Sequence, residues 1–118
     1  MVGNYSMIRE IKEYAKQNNI PIIEKSSSEI LIKTVKEKNP KNILEIGTAI
    51  GYSAIMMALV DPNVKITSIE RDEKRYLEAL KNVKAFDLED RITEKPARLT
   101  GRLFFFMQIG FIYSRKFF

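Results

Sequence analysis

The stretch Ile43-Leu44-Glu45-Ile46-Gly47-Thr48-Ala49-Ile50-Gly51-Tyr52-Ser53 constrains this chain more than any other. It opens as a short apolar run, of the kind buried on both faces of a parallel sheet. The run breaks at Gly47, stays tight to Gly51, and continues into Ala54, Ile55, Met56, Met57, Ala58 and Leu59, which predict a helix. Strand, glycine loop and helix in this order open a doubly wound α/β unit, whose ligand lies over the carboxyl ends of the strands.

The flanking segments fit that unit. Tyr5 to about Asn18 reads as an amphipathic helix, with Ile8, Ile11, Tyr14 and Ala15 on its apolar face. Ile20-Pro21-Ile22-Ile23-Glu24 is an extended connector, either packed on the core or forming the edge of a lid over a ligand. Ser26 followed by Glu29 has the spacing of a capping box, and Ile30, Leu31 and Val35 predict the buried stripe of a second helix ending near Asn39-Pro40. After the central unit, Asp61-Pro62-Asn63 predicts a turn and Val64–Ile69 a second strand with Glu70 at its carboxyl end. Asp72 is placed as the N-cap of a third helix, with Tyr76, Leu77, Leu80 and Val83 facing inward. Arg91-Ile92-Thr93 begins a third strand.

A chain of 118 residues is one domain at most. It has no cysteine and no histidine, which removes disulfides, thiolate metal sites, cysteine nucleophiles and the commonest general base. No signal pattern and no stretch of membrane-spanning length is present, so a cytoplasmic protein with no membrane span is expected. The net charge of +5 invites a nucleic-acid reading, but its distribution weakens it. Residues 1–94 hold 15 basic and 15 acidic side chains, whereas Lys95, Arg98, Arg102, Arg115 and Lys116 in the remainder face no acid at all. The excess is a break in composition, not a patch spread over a fold.

The loop chemistry narrows the ligand. Gly47 and Gly51 allow sharp turning and close approach, since neither carries a Cβ. Alanine at 49 removes the middle glycine of the dinucleotide fingerprint, and no Lys-Ser/Thr follows the last glycine as in a P-loop. No basic side chain stands in the loop to meet phosphates, and Glu45 stands just before it. That suits a positively charged ligand without a pyrophosphate, such as S-adenosylmethionine. Glu70 is placed to accept hydrogen bonds from both ribose hydroxyls, as the acid does in other nucleoside-binding α/β folds.

Ile20 to Lys25, Ile43 to Ala54 and Ile69-Glu70-Arg71-Asp72-Glu73-Lys74-Arg75 together resemble the catechol-type S-adenosylmethionine-dependent O-methyltransferases, most closely the bacterial tRNA 5-hydroxyuridine O-methyltransferases. The resemblance covers roughly residues 5–92. It implies a Rossmann-like α/β class I methyltransferase fold with a seven-stranded sheet. It also implies that Glu45, Gly47 and Gly51 shape the methionine end of the cofactor site. Ser53 would bond the cofactor carboxylate at a helix N-terminus, where the dipole favours an anion. Glu70 would hold the ribose, and Ile23 would touch the cofactor. The family further implies Mg²⁺ bound by carboxylates on later strands, tRNA as a substrate, and a homodimer as one assembly.

The resemblance stops after residue 94. The family's metal-binding Asp and later Asp-Asn pair have no counterpart here, so no metal ligand and no catalytic residue is assigned. Residues 95–118 form a basic, Phe-rich tail with six of the seven phenylalanines. We read residues 1–94 as the first half of a Rossmann-like domain, truncated after about the third strand, and the tail as the mark of out-of-frame translation. In such a fold the strand at Ile43–Ile46 would be left as an apolar edge, for which Leu103–Ser114 is β-prone enough to serve as a cover. Two other functions compete: a nicotinamide-dependent oxidoreductase, which Ala49 disfavours, and a non-enzymatic remnant or small interaction protein, which the tail favours.

Overall fold

The computed structural model describes residues 2–97 and 111–114; for Val2 and 111–114 only the backbone is described. The chain runs α1 (Val2–Gln17), α2 (Lys25–Lys38), β1 (Asn42–Ile46), α3 (Tyr52–Val60), β2 (Lys65–Glu70), α4 (Glu73–Ala85), β3 (Ile92–Pro96) and β4 (Phe111–Ser114). The strands form one sheet in the order β3-β2-β1-β4. The first three are parallel and β4 runs antiparallel to β1. This is the Rossmann-like α/β arrangement, reached through two strand–helix–strand crossovers.

Register decides what the sheet presents. Glu45 pairs with Ser68, and Ser68 with Glu94, so one row crosses three strands. Because side chains alternate along a strand, Ile43 and Glu45, Ile66, Ser68 and Glu70, and Ile92 and Glu94 share one buried face. α3 and α4 pack on the sheet, and α2 packs on α3. Ile50, Ile55, Met57, Val64 and Ile66 are the largest apolar side chains sealed in this layer.

Helix ends follow local chemistry. Asp72 caps α4 as expected, its Oδ1 accepting from the Arg75 N–H at 2.9 Å. Asn39 closes α2 in the left-handed conformation and donates its N–H to the Val35 carbonyl. The expected capping box at Ser26 does not form. The helix begins two residues earlier than that box requires, at Lys25, with Glu24 as N-cap and no side-chain cap, while Ser28 Oγ donates back to the Lys25 carbonyl at 2.8 Å.

Four apolar positions also differ from the helical pattern. Ile30 is 67% exposed, and α2 buries Ser28 and Val35 instead. On α4 the inner face is Ala79 and Val83, while Leu77 and Leu80 are exposed. The helix lies so close to the glycine loop that the small Ala79 takes the central contact. Tyr14 of α1 is exposed too, whereas Ile11 and Ala15 are buried and Ile8 packs beside them. The connector packs on the core through Ile20, Ile22 and Ile23.

The edge of β1 is covered. Ile43 pairs with Ser114 and Ile46 with Phe111, so the described end of the tail supplies the covering strand, while residues 103–110 lie outside the described residues. At the opposite end of the strands, Arg91 binds the layers together. Its guanidinium donates to the Ala58 carbonyl at 2.8 Å and the Asp61 carbonyl at 2.7 Å, joining the end of α3 to the start of β3. Removing that charged donor leaves half-buried carbonyls without partners. Arg91→Ala should therefore lower stability by roughly 2 kcal/mol. Urea unfolding monitored by circular dichroism would show it, and an unchanged midpoint would rule it out.

Candidate cofactor site at the carboxyl end of the strands

The glycine loop is held from three sides. Gly47 N–H and Thr48 N–H both donate to the Ile69 carbonyl, at 2.8 and 3.3 Å, tying the loop to β2. Gly47 (φ 94°) and Gly51 (φ 87°) adopt left-handed backbone that glycine tolerates freely, and Ala49 (φ 53°) is forced into the same region. From α4, Asn82 Nδ2 donates to the Ile50 carbonyl at 2.8 Å. A Cβ on Gly51 would meet Ala79 at 3.5 Å, so helix and loop touch backbone to backbone.

Glu70 fastens the loop from above. Its Oε1 accepts from the Ala49 N–H at 2.8 Å and its Oε2 from the Asp72 N–H at 2.9 Å. One carboxylate thus bridges the loops that follow β1 and β2. Each oxygen keeps a further lone pair for an incoming donor.

Beneath the loop lie two more buried acids. Glu45 is 2% exposed and accepts from Ser68 Oγ at 2.6 Å and from Ser53 Oγ through its other oxygen. Burial pushes its carboxyl above the ordinary range, and the Ser53, Ser68 and Thr48 hydroxyls oppose that rise. Glu94 is 7% exposed. Its Oε1 accepts from Thr48 Oγ1 at 3.1 Å, while its buried Oε2 has no hydrogen-bond partner among the described residues. Burial, then the nearby Glu45 charge, pushes the Glu94 carboxyl up to about 7.

The predicted residues divide accordingly. Glu45, Gly47, Gly51, Ser53 and Glu70 form or fasten the loop. Ser53 spends its hydroxyl proton on Glu45 rather than holding it toward the space above α3. Ile23 packs against the apolar core from the connector. Sequence reasoning missed Thr48, Ser68, Asn82 and Glu94. The signal for Glu94 was its position two residues after Ile92, which places both on the inner face of a strand.

The loop Gly47–Gly51 itself contains no basic side chain, and Gly51 stands as the N-cap of α3 with no side-chain cap. The site therefore offers carboxylates at the strand ends and uncapped first-turn amides at the helix N-terminus. Together they match a ligand with cationic and hydroxyl donors at one end and a carboxylate at the other. Among the described residues no group of three Asp or Glu side chains is arranged to hold a metal ion. No helix of the described residues is long and apolar enough to cross a membrane.

Comparison with known proteins agrees with this geometry. The O-methyltransferase family profile matches residues 2–100, and the chain belongs to that family. It is 44% identical over 52 residues to the O-methyltransferase imqG of Aspergillus flavus, covering 44% of this chain and 21% of that protein. A Staphylococcus aureus structure assigned as a caffeoyl-CoA O-methyltransferase superposes with a TM-score of 0.72 at 32% identity, covering 76% of this chain and 44% of that one. A Bacillus cereus O-methyltransferase solved with SAH superposes with a TM-score of 0.69 at 27% identity, covering 78% and 44%. The chain thus spans less than half the length of the proteins it matches.

The buried acids make stability depend on pH. Between about 4.5, the ordinary glutamate value, and about 7, folded Glu94 keeps a proton that the unfolded chain has lost. Its contribution is complete below that window and is lost as pH rises through it, by on the order of 3 kcal/mol. Glu94→Gln mimics the protonated form, so it should be the more stable protein at pH 8 and nearly equal at pH 4.5. Urea unfolding at both pH values checks this, and parallel losses in the two proteins would refute it.

Proposed function

We propose that this chain carries the cofactor half of an S-adenosylmethionine-dependent O-methyltransferase. The observation that supports it best is the pair of acids Glu45 and Glu70 on either side of a glycine loop that lacks basic side chains. The donor set fits the cofactor. Glu70, already fixed by two amides, has lone pairs left for ribose hydroxyls, and the first-turn amides of α3 suit the methionine carboxylate. Glu45 holds Ser53, and with it the start of α3, in place. When bound, the cofactor supplies an electrophilic methyl group on a sulfonium.

The acceptor we propose is a hydroxyl oxygen, with 5-hydroxyuridine of tRNA favoured by the resemblance at Ile43–Ala54 and Ile69–Arg75. A cytoplasmic setting and a homodimer belong to the same reading. The described residues do not fit the Mg²⁺ of the family, since no carboxylate group among them is arranged to hold it, so no step is routed through a metal. We expect cofactor binding with little or no turnover.

Titration calorimetry with S-adenosylhomocysteine and S-adenosylmethionine tests the reading. Saturable heat is expected with both, and Glu70→Ala should weaken binding at least about tenfold, since hydrogen bonds to a charged group are each worth about 1.5–3 kcal/mol. Absence of heat with either ligand would end the proposal, and binding of NADH in a fluorescence titration would move it to an oxidoreductase.

A further inference from the structure

Glu94 plays no part in the reading above, yet its surroundings are unusual. It sits in one register row with Ser68 and Glu45, deep enough to be sealed from solvent at its Oε2. That oxygen is the one buried side-chain polar atom among the described residues without a hydrogen-bond partner. The other oxygen takes the hydroxyl of Thr48, which is the residue between Gly47 and Ala49 in the loop itself.

The groups around Glu94 leave its charge uncompensated. β1 contributes Glu45 and β2 contributes Glu70, both acidic. α3 carries no charged side chain, and Tyr52 is its one titratable group. α4 brings Lys81 and Lys84 to a cleft of about 450 Å³ that Glu94 also lines, with Leu80, Val83 and Ile92 as its apolar walls. Glu89, from the turn before β3, lies on the same cleft. Neither lysine makes an ion pair with Glu94; Lys81 reaches Glu78 at 4.0 Å on the surface. Glu94 and the two lysines thus border one cleft without pairing.

We propose that Glu94 is a proton-linked positioning residue of the cofactor site: its ionised carboxylate anchors the glycine loop through Thr48, and binding of the cationic cofactor drives its proton out to solvent. The inference rests on the cofactor reading above. Two effects act in the same direction. A carboxylate holds the Thr48 hydroxyl more strongly than a neutral acid does, because hydrogen bonds to ionised groups are the stronger ones. Ionisation also adds negative charge beneath a site that receives an ammonium and a sulfonium, in surroundings where Coulomb interactions are weakly screened. The Glu94 O–H bond breaks, its electron pair stays on the carboxylate, and the proton passes to buffer.

The carboxyl, pushed up to about 7, titrates where the effect is readable. A fall of about one unit on binding makes affinity roughly fivefold higher at pH 8 than at pH 6. Folding stability changes with pH in the opposite sense, so a general loss of structure cannot imitate the result.

The test is calorimetry of the full chain with S-adenosylmethionine and S-adenosylhomocysteine at pH 6, 7 and 8, in buffers of different ionisation enthalpy. At pH 7 the wild type should release a substantial fraction of one proton on binding. Glu94→Gln should abolish that release and flatten the affinity profile. Thr48→Val should weaken binding at pH 8 with little effect at pH 6, and Thr48→Ser should restore it. The ligand's own amino group, which titrates near about 8 like other α-amino groups, contributes equally in wild type and variants. Should Glu94→Gln fail to fold, the Thr48→Val variant decides instead: equal weakening at pH 6 and pH 8, or none at pH 8, overturns the proposal. Binding without proton release, or release that persists in Glu94→Gln, overturns the proposal while leaving the cofactor reading intact. No binding of either ligand at any pH overturns both.

Discussion

A carboxylate buried at the carboxyl end of β1 has to be satisfied by its neighbours, and the rest of the site follows from that need. Glu45 is almost wholly enclosed, where an unpaired charge is costly. Ser68 of β2 and Ser53 of α3 supply the donors. The first holds Glu45 to its partner across the β1–β2 register, and the second fixes the opening turn of α3. One side chain therefore couples two strands and a helix at the point where the chain leaves the sheet.

The loop above it is fixed before any ligand arrives. Glu70 ties it to the next loop, Asn82 ties it to α4, and Ala79 stands against Gly51 with ordinary van der Waals contact. A preorganised loop loses little conformational freedom on binding, which is how a small site reaches useful affinity. The cluster of Glu45, Glu70 and Glu94 carries the opposite consequence. Acids gathered in a low-dielectric layer repel one another, so the carboxyls of Glu45 and Glu94 are held above the ordinary range at a cost in stability at neutral pH.

Pairing on both sides of β1 is a further constraint on the sheet. β1 is the most apolar of the three parallel strands, and one open side would expose a row of unpaired backbone groups. β4 pairs there antiparallel, from Phe111 to Ser114. Arg91 serves the other end of the sheet in a comparable way, satisfying carbonyls where α3 gives way to the turn before β2.

Strand, loop and helix at residues 43–59, the cap at Asp72, the end of α2 near Asn39 and the acids Glu45 and Glu70 at the strand ends were all legible in the sequence. Each depends on local chemistry: an apolar run, a glycine without a Cβ, a side-chain oxygen within reach of the next turn. The family followed from the same residues. Tertiary structure alone decided which apolar side chains on α2 and α4 are buried, because helix periodicity marks a face but not how near the neighbouring backbone lies. It also decided the partners of Glu45 and the isolation of Glu94, since both follow from the register of three parallel strands. Spacing along the chain cannot give that register, because pairings such as Ser68 with Glu94 join residues separated by a whole helix and its loops.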